Sequence, residues 1–141
     1  MTDARPSAPS TRRRLAALAG DVACILVFAT IGRASHDGIA SVGDVLRTAL
    51  PFLVALGVGW LVTLAWRAPL APVRVGVPVA AVTVLVGMLG RALLGEGTAL
   101  PFVVVATVTV LLLLVGWRLV ARLVASRRAS TARGTSARPR R

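Results

Sequence analysis

The chain contains no lysine, no asparagine and no tyrosine, and it has a single histidine and a single cysteine. Codons for the three missing residues are A/T-rich, so their absence points to a GC-rich bacterial genome. Arginine standing where lysine could is then no sign of bidentate anion recognition. One thiol, Cys24, cannot form an intrachain disulfide, and it makes no metal site alone. Acids are scarce as well, five against 17 basic residues. Catalysis needs convergent acid, base or nucleophilic groups, and the chain offers no His-Glu-x-x-His, no paired cysteines and no phosphate-cradling loop. His36 and Asp37 are adjacent and do not aim at one another. The expectation is a protein that is not an enzyme, with no cofactor and no metal.

What is abundant is apolar length. The 141 residues are 56% hydrophobic with a mean hydropathy of +0.80, and the apolar residues run in stretches rather than alternating with polar ones. Four stretches, at about 15–33, 45–66, 75–94 and 99–120, reach or approach the length that crosses about 30 Å of hydrocarbon at about 1.5 Å per residue. The fold class expected is an all-α membrane protein of four transmembrane helices, flanked by a disordered basic tail over 1–14 and an Arg-rich tail over 123–141. The proline-rich Ala68-Pro69-Leu70-Ala71-Pro72 reads as a short extended linker. Ser41-x-x-Asp44 is a helix-start signal. The residues from Val42 to Leu50 either lie along the membrane surface or begin the second span.

A formal charge of +12 would suggest nucleic acid in a soluble protein, but the arginines are sorted by boundary. Arg33, Arg47 and Arg91 fall on one side, and the other 14 of the 17 fall on the opposite side or in the tails. By the positive-inside rule both termini are cytoplasmic, in the cell membrane, and the basic tail meets anionic lipid headgroups rather than nucleic acid. Thr11-Arg12-Arg13-Arg14 lacks a following soluble domain to export. Asp21 stands where a lipoprotein signal requires an apolar residue. The first stretch therefore reads as a retained signal-anchor.

The two halves share vocabulary. Gly32-Arg33, Thr48-Ala49-Leu50-Pro51-Phe52 and Gly59-Trp60 recur in order as Gly90-Arg91, Thr98-Ala99-Leu100-Pro101-Phe102 and Gly116-Trp117. This pattern predicts two tandem helical hairpins, a parallel 2+2 repeat about an axis along the membrane normal. Small residues at interfacial spacing predict close helix packing. They are Ala16, Gly20 and Ala23 on span one, Ala55, Gly59 and Thr63 on span two, and Gly76, Ala80, Thr83 and Gly87 on span three.

Two sets of polar residues stand out. Asp21 is the one acid within a span, about 9 Å beyond Leu15. It needs a partner, for which Arg118 is preferred over Arg14 and Arg67. Arg33 and Arg91 end the first helix of each half against the charge bias. With His36 near Arg33 they form a candidate outer-face site for an anion or lipid phosphate. Local neutralisation, of Arg33 by Asp37, Arg47 by Asp44 and Arg91 by Glu96, competes with that reading.

The chain resembles a family of uncharacterised bacterial and archaeal membrane proteins, domain of unknown function 3054. The matching pieces are Asp21, Gly32-Arg33-x-Ser35-His36, Thr48-Ala49-x-Pro51-Phe52 and Gly87-Met88-x-x-Arg91. They continue with Gly95-x-Gly97-Thr98-Ala99, Phe102 through Ala106 and Gly116-Trp117-Arg118. The chain departs from the family at Leu50, where the family tends to have Trp. The resemblance implies architecture over about residues 18–122 and no chemistry. The function expected is a small accessory or partner-binding bundle, with a membrane protein or a second copy as partner. The alternative is binding and transport of a small solute, anion or lipid.

Overall fold

A computed structural model describes residues 9–34 and 41–136, with side chains through Arg33 and from Ser41 to Arg127. His36 and Asp37 lie outside the described residues. Every regular element among the described residues is helical. They are α1 (Thr11–Ala34), α2 (Val42–Val62), α3 (Val77–Leu93) and α4 (Leu100–Ser136), with short helical turns at Ala65–Arg67 and Pro72–Gly76. Four helical segments, Thr11–Arg33, Val42–Val62, Pro72–Leu93 and Leu100–Arg127, are long and apolar enough to cross a membrane. The protein is a multi-pass integral membrane protein. Successive helices pack side by side, and α4 returns to α1 to close the bundle.

Each helix turns one stripe inward. Ala17, Asp21, Ile25, Phe28 and Ala29 are buried on α1, and Ala106, Val110, Leu114 and Arg118 recur every fourth residue on α4. Phe28 of α1 meets Phe52 of α2 edge to face, with ring centroids 5.0 Å apart. Contact between α2 and α3 is closest where glycines allow it. A Cβ on Gly87 would stand 2.5 Å from Phe52 Cδ1, and one on Gly59 would stand 3.3 Å from the Val79 carbonyl oxygen. Of the small-residue stripes, Ala55, Gly59, Ala80, Thr83 and Gly87 are buried on α2 and α3, while Gly76, just before α3, is buried against α4. On α1 the expectation holds at Gly20, which packs against the Trp117 ring, and fails at its two alanines. Ala16 and Ala23 are exposed and Ala17 is buried, because Asp21 sets the inward direction.

Ser41 caps α2. Its hydroxyl accepts from the Asp44 backbone N–H and Asp44 accepts from the Ser41 backbone N–H, so two otherwise orphaned donors are satisfied. The residues after it begin the span directly, with Pro51 inside the helix. The connection at 63–76 is folded rather than extended. Leu64 turns the chain at φ 50°. Ala65, Pro69, Ala71 and Pro72 are buried, and the N–H groups of Val75 and Gly76 both close on the Ala71 carbonyl. Prolines forbid a regular helix here, yet their missing N–H groups cost nothing in a turn. At the other end Gly95 takes φ +68°, and its neighbour Glu96 donates back to the Arg91 carbonyl, closing α3. α4 continues to Ser136, through much of the segment expected to be a disordered tail. That segment is rich in Ala and Arg and meets no proline before Pro139, so the helix can continue.

Candidate functional site

The turn end of the bundle, where the 63–76 connection lies, contains a buried charged quartet. Asp21 and Arg118 are both fully buried and bind as a fork. Arg118 Nη1 donates to Asp21 Oδ1 at 2.7 Å and Nη2 donates to Oδ2 at 2.7 Å. Two indoles complete the carboxylate. Trp60 Nε1 donates to Oδ2 and Trp117 Nε1 to Oδ1, each at 2.8 Å. Each oxygen thus accepts two hydrogen bonds, one from a ring and one from the guanidinium. The arginine is used as fully on its far side. Its Nε donates to the Pro69 carbonyl at 3.0 Å, and Nη1 donates to the Leu114 carbonyl at 2.7 Å. Its Cζ also lies 5.1 Å from the Trp117 ring.

The local sequence explains the fit. Gly20 leaves room for Trp117, since a Cβ there would stand 3.3 Å from the indole, and Gly76 does the same for the Arg118 stem. One turn further along, Cys24 Sγ donates to the Leu113 carbonyl at 3.7 Å. A desolvated carboxylate in this layer is tolerable only when paired and hydrogen-bonded. Here four donors meet that demand. The rival arginines do not reach it: Arg67 is exposed, and Arg14 is only partly buried. Pairing of Asp21 with Arg118 follows from sequence position alone. The indoles and the Pro69 carbonyl were missed. Their one sequence signal is the duplicated Gly-Trp dipeptide, whose two rings meet on one carboxylate.

The opposite end of the bundle carries a polar cleft of about 290 Å³, lined by Arg33, Asp44, Arg47, Thr48, Arg91, Glu96 and Gly97. Arg33 and Arg91 line it together, as the sequence suggests, and Arg47 joins them. The pairing keeps Glu96 with Arg91 and otherwise differs from the local scheme. Asp44 faces Arg33 at 3.9 Å rather than Arg47. Glu96 is shared, at 2.7 Å from Arg91 Nη1 and 3.3 Å from Arg47 Nε. Arg91 Nη2 also donates to the Gly97 carbonyl at 3.2 Å, and its guanidinium stacks 4.5 Å from the centroid of Phe102. Its buried Nε has no hydrogen-bond partner.

The threonine hydroxyls within the spans behave in two ways. Thr63 and Thr107 donate to the carbonyls of Gly59 and Val103, four residues back on their own helices, whereas the buried Thr83 hydroxyl makes no such bond. No group of His, Cys, Asp and Glu that could hold a metal ion occurs among the described residues.

The family model described as Protein of unknown function (DUF3054) matches residues 18–121, and the chain belongs to that family. The matched region contains the quartet and the arginine cleft. No curated protein and no solved structure matches the chain.

Proposed function

We propose that this protein is a small accessory bundle of the cytoplasmic membrane, which binds a membrane-protein partner or a second copy of itself and carries no solute. The observation behind this reading is the saturation of Asp21. It is the one buried acid among the described residues, and all four of its acceptor positions are taken. A proton or cation carrier needs a buried acid that can exchange its partner, and this one, on α1, is held by donors from both α2 and α4. Above it the interior is closed by Ile25, Phe52, Leu56, Val79, Val110 and Leu114, all nearly or fully buried. The lipid-facing surface is correspondingly large. Only 17% of the most apolar window of α4 is buried, against 39% in α2 and in the third span, so α4 is the helix with most surface left for a partner.

The orientation belongs to the same proposal. The quartet end, with Arg12, Arg13, Arg67 and Arg74 around it, faces the cytoplasm with both termini, and the tail arginines lie against anionic headgroups. The two halves are a diverged hairpin duplication. In support, their Gly-Trp dipeptides bring one indole each to Asp21, and their Gly-Arg dipeptides bring one arginine each to the cleft.

Single cysteines at Leu56, Val79 and Val110 in a Cys24→Ala background test the reading. In intact membranes a water-soluble thiol reagent leaves all three unlabelled if the interior is packed. Labelling of any one from the aqueous phase overturns the accessory reading in favour of a solute path. Photo-crosslinkers at Val104, Leu112 and Leu119 on the exposed face of α4 yield one discrete adduct, with a second copy or with one partner. A diffuse ladder, or lipid adducts alone, would remove the partner.

A further inference from the structure

The seam between α1 and α4 is closed at the quartet end and open at the other. From Gly20 to Cys24 the two helices touch through Trp117, Arg118 and Leu113. Beyond that they separate around an apolar groove of about 390 Å³, lined on one side by Phe28, Ile31 and Gly32 and on the other by Phe102, Val105 and Thr109. From Phe102 to Thr109 the groove runs about 10 Å along α4. Its volume falls in the range of pockets that hold a ligand. At its Phe102 end a cation stands against it. Phe102 forms the groove wall and carries the Arg91 guanidinium on its face. Arg91 and Arg47 share the single carboxylate of Glu96, which leaves one positive charge in excess in that triad. Arg91 Nε is buried and unpartnered there, and Arg47 is 78% exposed.

An apolar slot between membrane-spanning helices, with a cluster of excess positive charge beside one end, is complementary to one kind of molecule. We propose that the open half of the α1–α4 seam holds an acyl chain of an anionic phospholipid, with its phosphate against Arg47 and Arg91. The chain fills the groove beside Gly32, and the phosphate accepts charge-assisted hydrogen bonds from the two guanidiniums. Glu96 holds both arginines in place and keeps the site from binding anions indiscriminately. This site is separate from the quartet and stands whether or not a protein partner covers α4.

The test uses the full chain in mild detergent, loaded with phosphatidylglycerol or phosphatidylcholine of identical acyl chains and read by native mass spectrometry. The wild type retains phosphatidylglycerol roughly five- to tenfold better, the value of one or two charge-assisted bonds at a partly exposed site. Arg47→Gln removes most of that preference. Gly32→Phe plugs the slot and lowers retention of both lipids, because a Cβ on Gly32 meets nothing within 4 Å and the ring grows into open space. Val105→Trp plugs it from the α4 side at a position 61% exposed, and serves if Gly32→Phe fails to fold. Unchanged retention in both plugged variants overturns the proposal, as does an unchanged lipid preference in Arg47→Gln. Inorganic phosphate that displaces the lipid equally from wild-type and plugged protein would mean a free-anion site, and a dimer that Gly32→Phe splits would mean a groove between copies. Either result also overturns it.

Discussion

α1 and α4 meet in two ways along one seam. At the quartet end the contact is ionic, fully desolvated and hydrogen-bonded on every side. At the cleft end the helices part, and the charged residues there pair around a polar cleft with exposure from 12% at Arg91 to 78% at Arg47. Both ends contain arginine and acid, so composition does not separate them. Burial does. Taking Asp21 and Arg118 out of water is costly unless every lone pair and N–H finds a partner, so that end admits one arrangement. Arg47 is 78% exposed and can exchange partners at little cost, whereas Arg91 and Glu96 are largely covered, at 12% and 15% exposure. The first end holds the fold, and the second lies beside the proposed lipid groove.

The largest way to break the contrast is to remove one member of the buried pair. Arg118→Ala strands a carboxylate between two indoles and should destabilise the bundle by about 3–5 kcal/mol, measured by unfolding in mixed detergent. Asp21→Asn should fall below that, since the amide keeps the Arg118 and indole contacts in part. The double variant Asp21→Leu/Arg118→Met should lose far less than the sum of the two single changes. Full additivity would mean the two residues are not coupled and the closed end owes its rigidity to packing alone.

Next comes the indole. Trp117→Phe keeps the ring over Gly20 and deletes one hydrogen bond to an ionised carboxylate, at a cost of about 1.5–3 kcal/mol. If it melts with the wild type, the indole contributes packing only.

A pair of glycines sharpens the comparison along α1 itself. Gly20→Ala pushes a methyl to 3.3 Å from an indole that its bond to Asp21 holds in place. It should destabilise by about 1 kcal/mol. Gly32→Ala at the open end meets nothing and should be neutral or up to about 1 kcal/mol stabilising through helix propensity. Equal effects at the two positions would erase the distinction between closed and open ends. The smallest effect expected is that of Glu96→Gln in the cleft, within about 1 kcal/mol. A large loss there would show that the cleft is structural too.

The spans, the arginine bias and the solitary acid are legible from residue order, because in hydrocarbon an apolar run long enough to cross must be helical to satisfy its own backbone. Boundaries are less so. α4 runs past its apolar run because Ala and Arg sustain a helix without an apolar face, and the 63–76 connection folds because Arg118 draws the Pro69 carbonyl inward. Neither cause is local in sequence. The candidate site is legible in part. Asp21, Arg118, Arg33 and Arg91 stand out as charges in apolar surroundings, but Trp60 and Trp117 look like interfacial aromatics and Arg47 like an ordinary flanking charge.

Sequence alone thus determined that this chain lives in a membrane as four helices and that Asp21 must be neutralised, since both follow from the cost of desolvating polar groups, which depends on residue type and depth. Tertiary structure decided which donors neutralise it and that the arginines of separate helices share one cleft. It also decided that the α1–α4 seam closes at one end and opens at the other. These depend on helix rotation and tilt, which are set by close packing at a few glycines rather than by any hydrophobic force that a lipid solvent could supply.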